Sequence, residues 1–97
     1  MFEFDFSDKF RLTFKKIAKK DKIIAEAINR KVKEIMNRDA DSINAYKNLA
    51  KEMSNFKRVH ITGWLIMIFE VDIKNNFILF SKIIMSPRHS IGNNSIS

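Results

Sequence analysis

Phe2, Phe4 and Phe6 alternate with Glu3 and Asp5 at the start of the chain. A period of two places the three rings on one face of a strand and both carboxylates on the other. Ser7 then offers a helix N-cap and Asp8 an acidic first turn, and Phe10, Phe14, Ile17 and Ala18 recur at helical spacing. The pattern predicts a first helix running to about Lys19. Asp21 caps a second helix, in which Ile24, Ala27, Ile28, Val32, Ile35 and Met36 form a broad apolar stripe ending near Arg38. Two such helices in succession make a hairpin.

The interval 43–55 mixes Tyr46, Leu49 and Met53 with Lys47, Lys51 and Glu52, and fits a short helix or an ordered loop equally well. From Phe56 the period returns to two, with Val59 and Ile61 set against Arg58, His60 and Thr62. Gly63 breaks the run, and Trp64 to Val71 is a nearly all-apolar segment suited to a central strand. Asp72 to Asn76 supplies turn chemistry, Phe77 to Ile84 a last strand. The polar segment 86–97, with Pro87, Gly92 and paired asparagines, reads as a flexible tail.

The order strand, helix, helix, strand, strand, strand predicts an α+β domain over residues 1–85. In it a small antiparallel-type sheet of about four strands carries the helical hairpin on one face. Val59 and Ile61 then point to the helices, and Arg58, His60 and Thr62 point to the face left bare.

Composition narrows the chemistry. Of 97 residues, 18 are Lys or Arg and 11 Asp or Glu, a net charge of +7 that favours polyanionic partners. The absence of cysteine excludes a disulfide framework, a thiolate nucleophile and Cys-based metal sites, and with two histidines neither a metal nor a cofactor is expected. The longest apolar run, Trp64 to Phe69, is strand-length, and the acidic, aromatic start lacks the form of a secretory signal. These features predict a cytoplasmic protein without a membrane span. Two glycines allow no Gly-rich phosphate loop, and no Ser–His–Asp spacing is present.

The segment Phe56-Lys57-Arg58-Val59-His60-Ile61, followed after a break by Trp64-Leu65-Ile66-Met67-Ile68-Phe69-Glu70-Val71, resembles the central hairpin of the RelE/ParE toxin superfamily, closest to its YafQ-like branch. Tyr46-Lys47-Asn48-Leu49 resembles the lead-in of those proteins, and the strand–helix–helix opening matches them in order and length; the resemblance covers roughly residues 2–84. It implies the toxin of a type II toxin–antitoxin pair, held by a cognate antitoxin. It further implies a ribosome-dependent mRNA endoribonuclease that contacts mRNA and ribosomal RNA and uses no metal. By the same resemblance His60, Arg58 and His89 are catalytic, and Lys57, Trp64, Lys47, Lys51 and Arg88 contact RNA. The helix cations, among them Lys15, Lys16, Lys19 and Lys20, would add sequence-independent attraction.

The family commonly ends in a His-rich motif closing with a large aromatic, and Ser86-Pro87-Arg88-His89-Ser90-Ile91-Gly92-Asn93 contains no aromatic. Registering the motif on His89 puts Asn93 at the aromatic position and keeps a titratable group. Registering it on Ile91 puts Gly92 there and Pro87 at the histidine. The second register implies a catalytically dead protein that still binds antitoxin, and a ParE-like gyrase inhibitor is the other alternative. A basic RNA-binding domain with no toxin role is the rival outside the superfamily.

Overall fold

The computed structural model describes residues 2–49 and 55–85. Its elements are β1 (Glu3–Phe6), α1 (Asp8–Lys20), α2 (Lys22–Met36), a 3-10 turn at Ser42–Ala45, β2 (Lys47–Asn48), β3 (Phe56–Thr62), β4 (Leu65–Asp72) and β5 (Phe77–Met85). Of the interval that fitted helix or loop, the described stretch 43–49 is the tight turn followed by a two-residue strand. Two residues cannot display a period, so β2 had no signature in the pattern.

The strands form one sheet in the order β1-β5-β4-β3-β2, five rather than about four. It is mixed rather than antiparallel: β1 runs parallel to β5 and the other neighbours are antiparallel. Without β1, the buried Ile78, Phe80 and Ile83 of β5 would lie on an open edge. Phe2 N–H donates to Met36 O at 2.9 Å, tying the start of the chain to the end of α2.

Each helix begins where its cap stands. Ser7 Oγ accepts from Phe10 N at 3.0 Å, and Asp21 Oδ1 accepts from Ile23 N and Ile24 N at 3.1 and 3.2 Å. Asp21 also ends α1, its N–H donating to Ile17 O, so one residue joins the two helices. The core lies between the hairpin and the sheet, where Ile28, Ile35, Ile43, Met67, Phe69, Ile78 and Phe80 are sealed from solvent. At roughly 1.5–3 kcal/mol for each large apolar side chain removed from water, this layer is the main force holding the helices down. Aromatic rings run through it, Phe6 stacking on Phe10 at 5.0 Å and on Phe80 at 5.3 Å, with Phe69 6.0 Å from Phe80. Phe4 departs from Phe2 and Phe6: at the sheet edge it stays 39% exposed.

Candidate functional site

Residues paired across neighbouring strands point to the same side of a sheet, about 4.8 Å apart, so the register divides the two faces. On the helical side lie Phe69, Met67 and Val71 of β4 with Phe80, Ile83 and Ile78 of β5, all in the core cluster. The opposite side carries a row that crosses four strands, Lys47 paired with Arg58, Arg58 with Ile68, and Ile68 with Lys82. The next row is His60, Ile66 and Ile84, and on the other flank stand Phe56, Glu70, Leu79 and Asp5. Arg58 and His60 are therefore two residues apart on one face of β3, about 7 Å along the strand. His60 is exposed, while Ile66 and Ile68 between the polar flanks are buried yet outside the core cluster.

Arg58 is half-buried, and its Nε is sealed from solvent with no hydrogen-bond partner. A buried donor left unmet costs about 1–3 kcal/mol. Among the described residues, no ion pair involves Lys47, Arg58 or Lys82. Glu70 accepts instead from Asn55 Nδ2 at 3.1 Å.

Lys57 stands apart from the role assigned to it. It pairs with Phe69 and so faces the helical side, is 6% exposed, and donates from Nζ to Asn48 Oδ1 at 2.7 Å. It lines a cavity of about 650 Å³ together with Asn44, Tyr46, Lys47, Asn48 and Asn55, which Arg58 itself does not line. Trp64, just before β4, is half-buried against the core cluster. Thr62 leaves the bare-face series as well, because the register shifts between His60 and Thr62 and sets Thr62 opposite the core residue Leu65. Lys51, Arg88 and His89 lie outside the described residues.

Lys47 is held in place by the residue before it. The Tyr46 hydroxyl donates to Glu34 Oε2 of α2, and Arg38 Nε donates to the same hydroxyl at 3.2 Å. The Arg38 guanidinium lies 5.0 Å above the Tyr46 ring, which meets Phe69 edge-on at 5.6 Å. Lys31 Nζ closes the group at 3.0 Å from Glu34 Oε1. Burial, with the bond to Glu34, pushes the Tyr46 phenol up to about 12, and that same bond leads in holding the Glu34 carboxyl below its ordinary value. The β2 edge, and with it Lys47, is thereby fixed to the end of α2.

Sequence reasoning missed Lys82 and Glu70. Glu70 follows by alternation once Ile66 and Ile68 are placed on the face opposite the helices. Lys82 does not, since simple alternation from Phe80 would turn it toward the helices. Among the described residues no group of three or more His, Cys, Asp or Glu side chains could hold a metal ion, and no helix is long and apolar enough to cross a membrane.

No family model matches the chain. Over 80 residues it is 32% identical to the candidate toxin RelE4 of Methanocaldococcus jannaschii, a match covering 82% of this chain and 81% of that protein. Among solved structures, the isolated RelE toxin of E. coli superposes with a TM-score of 0.70 over the whole of both chains at 13% identity. The intact E. coli RelBE toxin–antitoxin complex matches with a TM-score of 0.67 and 13% identity, over 86% of this chain and 94% of that one. YafQ of E. coli strain BL21(DE3) matches at 0.65 and 13% identity, over 95% of this chain and 100% of its own. At such identities the likeness to solved structures is one of fold.

Proposed function

The chain belongs to the RelE/ParE toxin superfamily, and on that footing we propose that it is the toxin of a toxin–antitoxin pair and a ribosome-dependent mRNA endoribonuclease. The observation that carries the reading is the display of Arg58 and His60 together on the sheet face opposite the helices, with Arg58 Nε lacking a partner. Cleavage needs a ribose 2′-oxygen to attack the neighbouring phosphorus, a base to take its proton, an acid to protonate the departing 5′-oxygen, and cations to hold the charge that accumulates between. His60 is assigned to proton transfer. Arg58 is assigned to the phosphate, because a guanidinium can grip two of its oxygens at once. Lys47, beside Arg58, adds charge to the same surface. His89 and Arg88 are assigned to complete the site from the C-terminus, Lys51 to contact RNA, and no metal is invoked. The partner is a cognate antitoxin, by likeness to a superfamily fold that is also known in a toxin–antitoxin complex.

The test is cleavage of translated mRNA by the wild type, His60→Ala and Arg58→Ala. Loss of the proton-transfer group lowers the rate about 10²–10⁴-fold, and loss of the charge-stabilising donor about 10²–10³-fold. Full activity in both variants would reject the site. A second reading keeps the fold and removes the cleavage, leaving a gyrase inhibitor or an inactive antitoxin binder. The aromatic-free segment Ser86–Asn93 favours it. Inhibition of gyrase supercoiling without RNA breakage selects the inhibitor; antitoxin binding without either effect selects the inactive binder.

A further inference from the structure

The irregularity in β5 reaches a residue that the function above does not use. Counting strictly from Phe80, which faces the helices, Ser81 would face outward, Lys82 inward and Ile83 outward. The register instead slips between Ile68 and Phe69: Phe69 pairs with Phe80 and Ile68 with Lys82, leaving Ser81 with no opposite residue. Such a bulge re-aims the side chains beyond it. Here it turns Lys82 onto the face opposite the helices and sends Ile83, paired with Met67, into the core.

The bulge is held from the side. Ser7 N–H donates to Phe80 O at 3.0 Å, and the Ser7 hydroxyl donates to Ser81 O. The oxygen of that hydroxyl also caps α1. The start of the first helix therefore fixes the face on which a lysine some seventy residues later appears.

The resulting row, Lys47, Arg58, Ile68 and Lys82, spans three strand spacings, or about 14 Å. Its three polar members are all cations and, among the described residues, none is in an ion pair. The carboxylates Glu70 and Asp5 belong to the flanking row, about 7 Å further along the strands. Sign is thus segregated by row, and the cationic row crosses the strands at right angles.

We propose that Lys82 is a phosphate-binding residue and that single-stranded RNA lies along this row, crossing from Lys47 over Arg58 to Lys82 with His60 beside its path. The proposal rests on the RNA-cleaving reading and extends it by a residue and a direction. The division of labour follows from the side chains: Arg58 can grip one phosphate in a fixed geometry, while the lysines act as point charges that hold the backbone on either side. Contacts of that kind set register on the protein and carry no base preference.

Binding of a labelled single-stranded RNA oligonucleotide, measured from about 50 to 200 mM salt, tests it, because each neutralised phosphate contributes a slope of about 0.7 in log affinity against log salt. Lys82→Ala is expected to flatten the wild-type slope by about that amount, Lys82→Arg to restore it, and Arg58→Ala to flatten it similarly. A Lys82→Ala slope equal to wild type, with Arg58→Ala flattened, overturns the path and leaves the RNA reading standing. Wild-type protein with no salt-dependent RNA binding overturns both. Thermal melting of Lys82→Ala separates a lost contact from a lost fold: its melting temperature is expected to match wild type, and a large drop accompanied by loss of all binding would assign Lys82 a structural role instead.

Discussion

Lys57 and Arg58 are adjacent cations with opposite fates, which makes them a measure of what single residues disclose. The sequence places them on opposite sides of β3, and the structure agrees that Arg58 shares a face with His60. What parity could not show is that Lys57 would be sealed and engaged by Asn48, because its partner lies on the two-residue strand that no pattern announced. Tyr46 is similar. Its spacing from the core residues is unremarkable, yet it joins Glu34, Arg38 and Phe69. The sign of its pH effect follows from the phenol being raised from 10.0 to about 12. The folded state holds that proton more tightly, so the contribution is complete below pH 10 and is lost as pH rises toward 12. The lowered Glu34 carboxyl works in the other direction, contributing above about pH 4.5 and losing its contribution as pH falls through its folded value. Both groups are partly open to solvent, which keeps the effect modest. Tyr46 is the chain's one tyrosine, so phenolate absorbance reads it directly. Native protein is expected to ionise well above pH 10, and the stability advantage of wild type over Tyr46→Phe to shrink between pH 10 and 12. Ionisation at the ordinary value in folded protein would remove this account.

At the scale of elements, the helices, their caps and the three long strands were legible, because each carries several turns or repeats of its own period. The features that were not legible are those that break a period: the two-residue β2, the parallel pairing of β1 with β5, and the shifts at His60/Thr62 and Ile68/Phe69. Pairing across some seventy residues is a tertiary outcome, and a bulge is one residue of exception within a regular run. Ser7 links the two kinds of feature, since it was recognisable as a cap but its hold on the β5 bulge was not. Ser7→Ala is expected to cost about 1–2 kcal/mol by losing the cap and leaving the Ser81 carbonyl unmet, which lowers the Tm by roughly 4–16 °C in a domain of this size. Ser7→Thr retains both bonds. Ser7→Asp retains the cap but has no proton to donate, so it is expected to fall between Thr and Ala in thermal melts. An Asp variant as stable as wild type would show that the bond to Ser81 contributes nothing.

Across the whole molecule the net charge of +7 is spread over both layers. The sheet face holds its cations in a row, while α1 presents Lys15, Lys16, Lys19 and Lys20 to solvent on the other layer. A layer of helices is about 10 Å thick, and the screening length is about 8 Å near physiological ionic strength. Charges on the outer side of α1 therefore act on a polyanion at the opposite sheet face only when salt is low. There they raise the rate of encounter rather than the strength of the final contacts. Reversing Lys16 and Lys20 to Glu in one variant is expected to slow RNA association several-fold at about 20 mM salt and to leave it near wild type at about 150 mM. Under the proposed function, the rate of cleavage of RNA already bound is expected to stay unchanged. Rapid-mixing measurements across that salt range decide the point. A deficit of constant size at every salt concentration would mean that α1 touches the nucleic acid itself, and the bound surface would then extend over the helical layer as well as the sheet.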